Sequence, residues 1–214
     1  MSMNGLTTEK MSQALDWAYE KAIHGIPGDL SSESLAKSYM KKFSSTDEAI
    51  DSLIKWQMAK SSTSGFVTGL GGIITLPVAI PVNIASVLYV QMRMIAAIAH
   101  MRGYDLKDDQ VQTFVFICLT GQAASDILKQ SGITVGTKLT VQLIKKVPGT
   151  TLTKINQKVA FRLVTKFGEK GVINLGKLVP IVGGVIGASV DGVGTKIIGN
   201  QAKKLFVEFD SPVI

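Results

Sequence analysis

Several residue types are scarce in this 214-residue chain, and each scarcity argues against a class of protein. The single cysteine, Cys118, stands in the apolar run FVFICLTG, so it can form no internal disulfide and is expected to be a small buried side chain. Only two histidines, His24 and His100, are present, and neither an HExxH nor a CxxC motif occurs. A GxSxG nucleophile elbow is also absent. We therefore expect no metal and no cofactor.

Charge is missing from one long segment, which runs from Ser61 to Met92 between a lysine and an arginine. The segment is rich in glycine at first and contains Pro77 and Pro81 near its middle. It exceeds the roughly 20 residues that span a bilayer, but the two prolines favour a re-entrant hairpin over a straight crossing. The alternative is that protein rather than lipid covers it.

Positive charge is concentrated between residues 138 and 177, where nine basic residues stand against one acidic residue. This stretch has a net charge of +8 in a chain of net charge +7, so the remainder is close to neutral. The basic residues at 154, 158, 162 and 166 recur every four positions, which places them on one helical face. The face is either simply solvated or contacts an anionic membrane surface through Lys154, Lys158, Lys166 and Lys170. No nucleic-acid-binding motif accompanies it, so no nucleic-acid partner is expected.

Apolar residues at helical spacing predict an all-α fold throughout the chain. Two segments, one on each side of the basic region, begin with proline and are rich in glycine. We expect a compact domain of seven to nine helices built around these two segments, with residues 1–45 forming N-terminal amphipathic helices and residues 46–214 the main helical domain. The predicted helices cover residues 7–24, 32–43, 45–58, 81–101, 105–130 and 151–167, with Asp105 as the N-cap of the fifth.

Polar residues form a stripe on the predicted helix over residues 81–101. Asn83, Ser86, Arg93 and His100 fall within an arc of roughly 100°. One interpretation is structural: Arg93 and His100 are interior and pair with carboxylates, because a lone buried guanidinium is prohibitively costly. The other interpretation is a ligand pocket or headgroup site. The candidate carboxylate partners are Asp105, Asp108, Asp109, Asp126 and Asp191.

Several stretches resemble the EcsC family. They are GFVTGLGGIITLPVAIPVNIASVLYVQMRMIAAIAHMRGYDLKDDQV, CLTGQAASDILKQSGI, INQKVAFRLVTKFGEKGVINLGKLVPIVGG and VDGVGTKIIGNQAKKLF. The resemblance implies a helical bacterial protein with no settled activity, and an ABC transporter as a candidate membrane-protein partner. Polar positions of the family pattern and of the predicted helices together give the candidate interior or ligand-lining residues Arg93, His100, Asp105, Asp109, Arg162 and Asp191.

Three classes of function follow from these observations. The first is a non-enzymatic, membrane-associated accessory protein, and the second is a soluble helical module that binds an apolar or anionic ligand. The third is a cryptic hydrolase without a recognisable catalytic motif. A P-loop over GVINLGKL is disfavoured, because Leu178 stands where a hydroxyl should bind magnesium. The first residues show no secretory signal, so we expect a cytoplasmic protein, peripheral or re-entrant at the inner membrane face.

Overall fold

A computed structural model describes residues 6–61, 80–133, 141–168 and 188–207. These residues form nine α-helices and no strand, so the predicted all-α fold is confirmed. Most of both glycine-rich segments, and the P-loop-like GVINLGKL, lie outside the described residues. The helices are α1 (Thr8–His24), α2 (Ser32–Met40), α3 (Thr46–Ser61), α4 (Val82–Met101), α5 (Asp109–Leu119), α6 (Ala124–Gln130), α7 (Val141–Lys145), α8 (Gly149–Phe167) and α9 (Ala188–Leu205), with a short 3₁₀ turn, Gly121–Ala123, between α5 and α6.

Helix α4 is the centre of the described fold. Helices α1, α2, α3, α5 and α9 all pack against it, and 16 of its 20 residues are buried. Among the described helices, α4 is the one that is long and apolar enough to cross a membrane, but 83% of its apolar window is buried inside the protein. Protein therefore covers the part of the uncharged segment that belongs to α4.

The first helices begin where hydroxyl side chains cap them. Thr7 accepts a hydrogen bond from the backbone N–H of Lys10 at 3.3 Å, and Ser31 accepts one from Ser34 at 3.2 Å. Ser45 accepts from the N–H of Glu48 at 3.2 Å, as its spacing predicts. These bonds satisfy backbone donors that a helix start leaves unpaired.

The region after α4 differs from the single helix predicted over residues 105–130. Asp105 is not an N-cap: it is exposed, and its carboxylate accepts a hydrogen bond from the N–H of Lys107 at 2.9 Å in the preceding turn. The helix begins at Asp109 and ends at Leu119. Gly121 then adopts a left-handed conformation, φ 60°, which interrupts the helix before α6 starts.

Helix α9 packs closely on α3. A Cβ added to Gly199 would lie 2.7 Å from Cγ1 and 3.0 Å from Cγ2 of Ile54. Ile54 is β-branched and buried on its own helix, so it has little freedom to move away. Glycine at position 199 is what allows the two helices to approach this closely.

Charged residues join three elements at one end of the α3–α9 pair. Asp47 on α3 lies 2.6 Å from Nη2 of Arg102 and 3.2 Å from Nζ of Lys203, and Asp51 lies 2.7 Å from the same lysine nitrogen. Desolvation opposes the charge on Asp47, but hydrogen bonds from Arg102 and Lys203 outweigh it and hold the pKa of that carboxyl below its ordinary value. The network stabilises the charged form of Asp47.

Candidate functional site

Arg93 lies at the middle of α4 and is almost completely buried, with 2% of its surface exposed. Its Nη1 forms an ion pair with Oδ1 of Asp29 and donates a hydrogen bond to the carbonyl of Leu30 at 3.1 Å. Tyr89, one helical turn earlier, donates to Oδ2 of Asp29 at 3.3 Å, and burial raises the pKa of its hydroxyl to about 12. Tyr89 is therefore a neutral donor at physiological pH, and Asp29 accepts from two side chains of α4.

The loop between α1 and α2 carries Asp29 to this position. Gly25 and Gly28 have φ values of 83° and 82°, which suit glycine, and the N–H of Asp29 donates to the carbonyl of Ile26 at 2.9 Å. The loop thus turns back sharply and directs its carboxylate at α4. Arg93 thus pairs with Asp29, which is not among the predicted partners Asp105, Asp108, Asp109, Asp126 and Asp191.

A cavity of about 420 Å³ opens beside Arg93 between α2, α3 and the α1–α2 loop. Nε of Arg93 is buried and finds no hydrogen-bond partner among the described residues. Polar and apolar side chains contribute equally to its lining, and the charged ones are Arg93, Lys42 as a second cation and Asp29 as an anion. The apolar surface comes from Leu30, Leu35, Tyr39, Phe43 and Trp56. We call this feature the Arg93 cavity.

The other predicted interior residues do not gather around Arg93. His100 is partly buried two helical turns further along α4, where its charge helps lower the pKa of Glu33, after the larger effects of Lys37. Asp105, Asp109 and Arg162 are exposed. Asp191 lies on α9, but its side chain is outside the described structure. The described residues contain no cluster of three or more His, Cys, Asp or Glu that could hold a metal ion.

Helix α8 presents a second surface of interest. Its inner side buries Ile155, Val159 and Leu163, as the apolar spacing predicts. Phe161 lies roughly 160° around the helix from Val159 and Leu163, and 65% of its surface is exposed. A large apolar side chain therefore stands at the centre of the solvent-facing side.

Basic side chains surround Phe161. Lys154 and Arg162 are exposed, and Lys158 donates to the carbonyl of Gln130 on α6 at 3.0 Å. Asp126 of α6 faces them across a groove of about 530 Å³ and provides one negative charge. Lys166 lies with its Nζ 5.3 Å from the ring centre of Phe167, and Lys170 is outside the described residues. We call the surface formed by Lys154, Lys158, Phe161 and Arg162 the α8 basic face.

Comparison with known proteins gives the family. A model of the EcsC protein family matches residues 1–207. The chain belongs to the EcsC family. The match includes the N-terminal helices α1 and α2, whose loop supplies Asp29. No curated protein and no solved structure matches the chain.

Sequence reasoning missed residues of both the Arg93 cavity and the α8 basic face of this EcsC protein. Asp29 stands in the run GIPGDL, which signalled only the end of α1 and the turn after it. Phe43 fits the apolar pattern of its segment, so its exposure could not be read from spacing. Trp56 lies roughly 160° around α3 from Ile54, so helical spacing does place it away from the apolar side. Phe161 did carry a signal, because it is an aromatic residue at the polar position of an otherwise regular amphipathic helix.

Proposed function

We propose that this EcsC protein is a non-enzymatic accessory protein that binds the surface of anionic membranes through the α8 basic face. The observation that carries the proposal is the 65% exposure of Phe161 among Lys154, Lys158 and Arg162. An apolar side chain between cations suits the membrane interface, where the ring enters the headgroup layer and the cations meet phosphates.

The electrostatics of the chain support the same orientation. Helix α8 carries four basic residues and no acidic residue, and Lys145 and Lys146 precede it. Lys145 is partly offset by Asp108, whose carboxylate lies 3.4 Å from its Nζ. Each basic residue near an anionic leaflet contributes on the order of 1 kcal/mol, so the face carries enough charge for measurable binding.

A peripheral position also agrees with the burial of α4. Protein covers 83% of its apolar window, so lipid is not needed to cover this helix. We therefore propose association at the cytoplasmic membrane surface, with no crossing by α4.

Co-sedimentation with vesicles tests the proposal. Wild-type protein is expected to bind vesicles that contain phosphatidylglycerol, to bind neutral vesicles weakly, and to dissociate in high salt, because screening weakens exposed charge interactions. The double variant Lys154→Gln/Arg162→Gln should bind about 30-fold more weakly, since two contacts of roughly 1 kcal/mol each are lost.

The matched control removes two charges from another surface. Lys55 on α3 and Lys196 on α9 are also exposed. The variant Lys55→Gln/Lys196→Gln removes two positive charges from the surface, as the test variant does, so the two variants have the same net charge. We expect this control to bind nearly as well as the wild type. Equal losses of vesicle binding in the two variants would mean that net charge alone drives binding. Unchanged binding of the test variant would reject the α8 basic face as the membrane-binding surface.

A further inference from the structure

The Arg93 cavity offers a second candidate site. We propose that this cavity binds a single-chain amphiphile with a carboxylate head, such as a fatty acid, with the head near Arg93 and Lys42 and the alkyl chain along the aromatic wall. This proposal does not depend on the α8 basic face, because the two surfaces share no residue.

The charged side chains of the cavity fit a singly charged acceptor. Nη1 of Arg93 is engaged by Asp29 and Leu30, whereas the buried Nε has no partner among the described residues. A buried donor without an acceptor is costly, so a ligand oxygen within reach of Nε would be favourable. The lining charges of Arg93, Lys42 and Asp29 sum to +1, so one carboxylate neutralises the site.

The apolar side chains of the cavity fit an alkyl chain. Leu30, Phe43 and Trp56 line it and remain 50%, 36% and 54% exposed, although each is a large hydrophobic side chain. Their exposed surfaces lie around one opening instead of being scattered, which is typical of a binding site. The volume of about 420 Å³ is in the range of small-molecule sites, roughly 300–1,000 Å³.

Trp56 provides a direct readout of binding. The chain has two tryptophans, and Trp17 on α1 is only 8% exposed. Laurate added below its micelle concentration should shift the emission of Trp56 to shorter wavelength and saturate at one molecule per chain. Dodecanol should bind about tenfold more weakly or worse, because it lacks the charge-assisted hydrogen bond, and dodecylammonium should not bind.

Variants separate the cavity from nonspecific adsorption. Lys42→Gln should weaken laurate binding several-fold by calorimetry, whereas Lys41→Gln, an equally exposed neighbour that does not line the cavity, should leave it unchanged. The paired change Asp29→Asn/Arg93→Gln should reduce the preference for laurate over dodecanol without leaving a buried charge unpaired, and the part that remains should depend on Lys42. Phe43→Ala should weaken both ligands.

Three results would overturn the proposal. They are the absence of saturable laurate binding, equal affinity for laurate and dodecanol in the wild type, and an equal effect of the substitutions at Lys41 and Lys42. Vesicle binding by the α8 basic face would survive any of these results, so failure here is distinguishable from failure of the proposed function.

Discussion

Replacing Asp29 by alanine should cost more stability than replacing Arg93, although the two side chains form one ion pair. The side chain of Arg93 is 3% exposed, whereas that of Asp29 is 26% exposed. Asp29→Ala therefore leaves a buried guanidinium without its counter-charge. Truncating one partner of a buried pair typically destabilises by about 3–5 kcal/mol, and we expect this variant to fall in that range.

Arg93→Ala leaves the less buried partner behind. The remaining carboxylate borders the Arg93 cavity of about 420 Å³, where water can reach it, and Tyr89 still donates to it. The loss then comes mainly from two hydrogen-bonding contacts and from packing of the arginine stem, for which we expect about 2–3 kcal/mol. We therefore predict that Asp29→Ala lowers the free energy of unfolding more than Arg93→Ala does, because Arg93 is the more deeply buried partner.

Urea denaturation followed by circular dichroism measures both free energies of unfolding, provided that the slopes match the wild type. The pair Glu33–Lys37 is the control, because both side chains are at least half exposed and Glu33→Ala should cost less than about 1 kcal/mol. The double variant Asp29→Ala/Arg93→Ala should cost less than the two single losses added together. A larger loss for Arg93→Ala than for Asp29→Ala, or losses below about 0.5 kcal/mol for both, would refute the paired-core interpretation.

Three further predictions concern the rest of the fold. Gly199→Ala should destabilise the protein by about 1–3 kcal/mol, because its Cβ would meet Ile54. Gly194→Ala on the same helix has open space around its Cβ and should stabilise the protein by up to about 1 kcal/mol. Urea midpoints of the two variants measure this difference. Cys118 is 0% exposed and burial raises the pKa of its thiol, so a thiol reagent should modify it only at the rate of unfolding. The pKa of Asp47 is lowered in the folded protein, so its contribution to stability is present above the ordinary pKa of 3.8. This contribution is lost as the pH falls through the pKa of the folded state. Asp47→Asn should therefore reduce the drop in urea midpoint that acid causes.

Local patterns predicted most of the helices. Ser45 with Glu48, Pro81 before α4 and Gly168 after α8 act within a few residues, so their effects follow from sequence alone. The buried position of Cys118 followed in the same way from its apolar neighbours. The single helix expected over residues 105–130 was wrong because Gly121 turns left-handed between α5 and α6.

Tertiary contacts were harder to predict. The partner of Arg93 is 64 positions away in a loop whose residues carry no helical pattern, so no spacing rule connects the two. The expected polar stripe on α4 is also not one surface: Asn83 is exposed, Ser86 and Arg93 are buried, and His100 is partly buried near Glu33. Helices from several directions cover α4, so residues on one arc have different neighbours.

A reporter at position 161 shows whether the α8 basic face contacts the membrane. In a Trp56→Phe background, the variant Phe161→Trp places one exposed tryptophan on this face, while Trp17 stays buried. Vesicles of phosphatidylglycerol with brominated acyl chains should quench the emission of the reporter in low salt, and high salt should restore it. If those vesicles quench Trp56 of the wild type but leave the reporter at position 161 unquenched, the membrane contacts another face of the protein, and the proposed role of the α8 basic face is wrong.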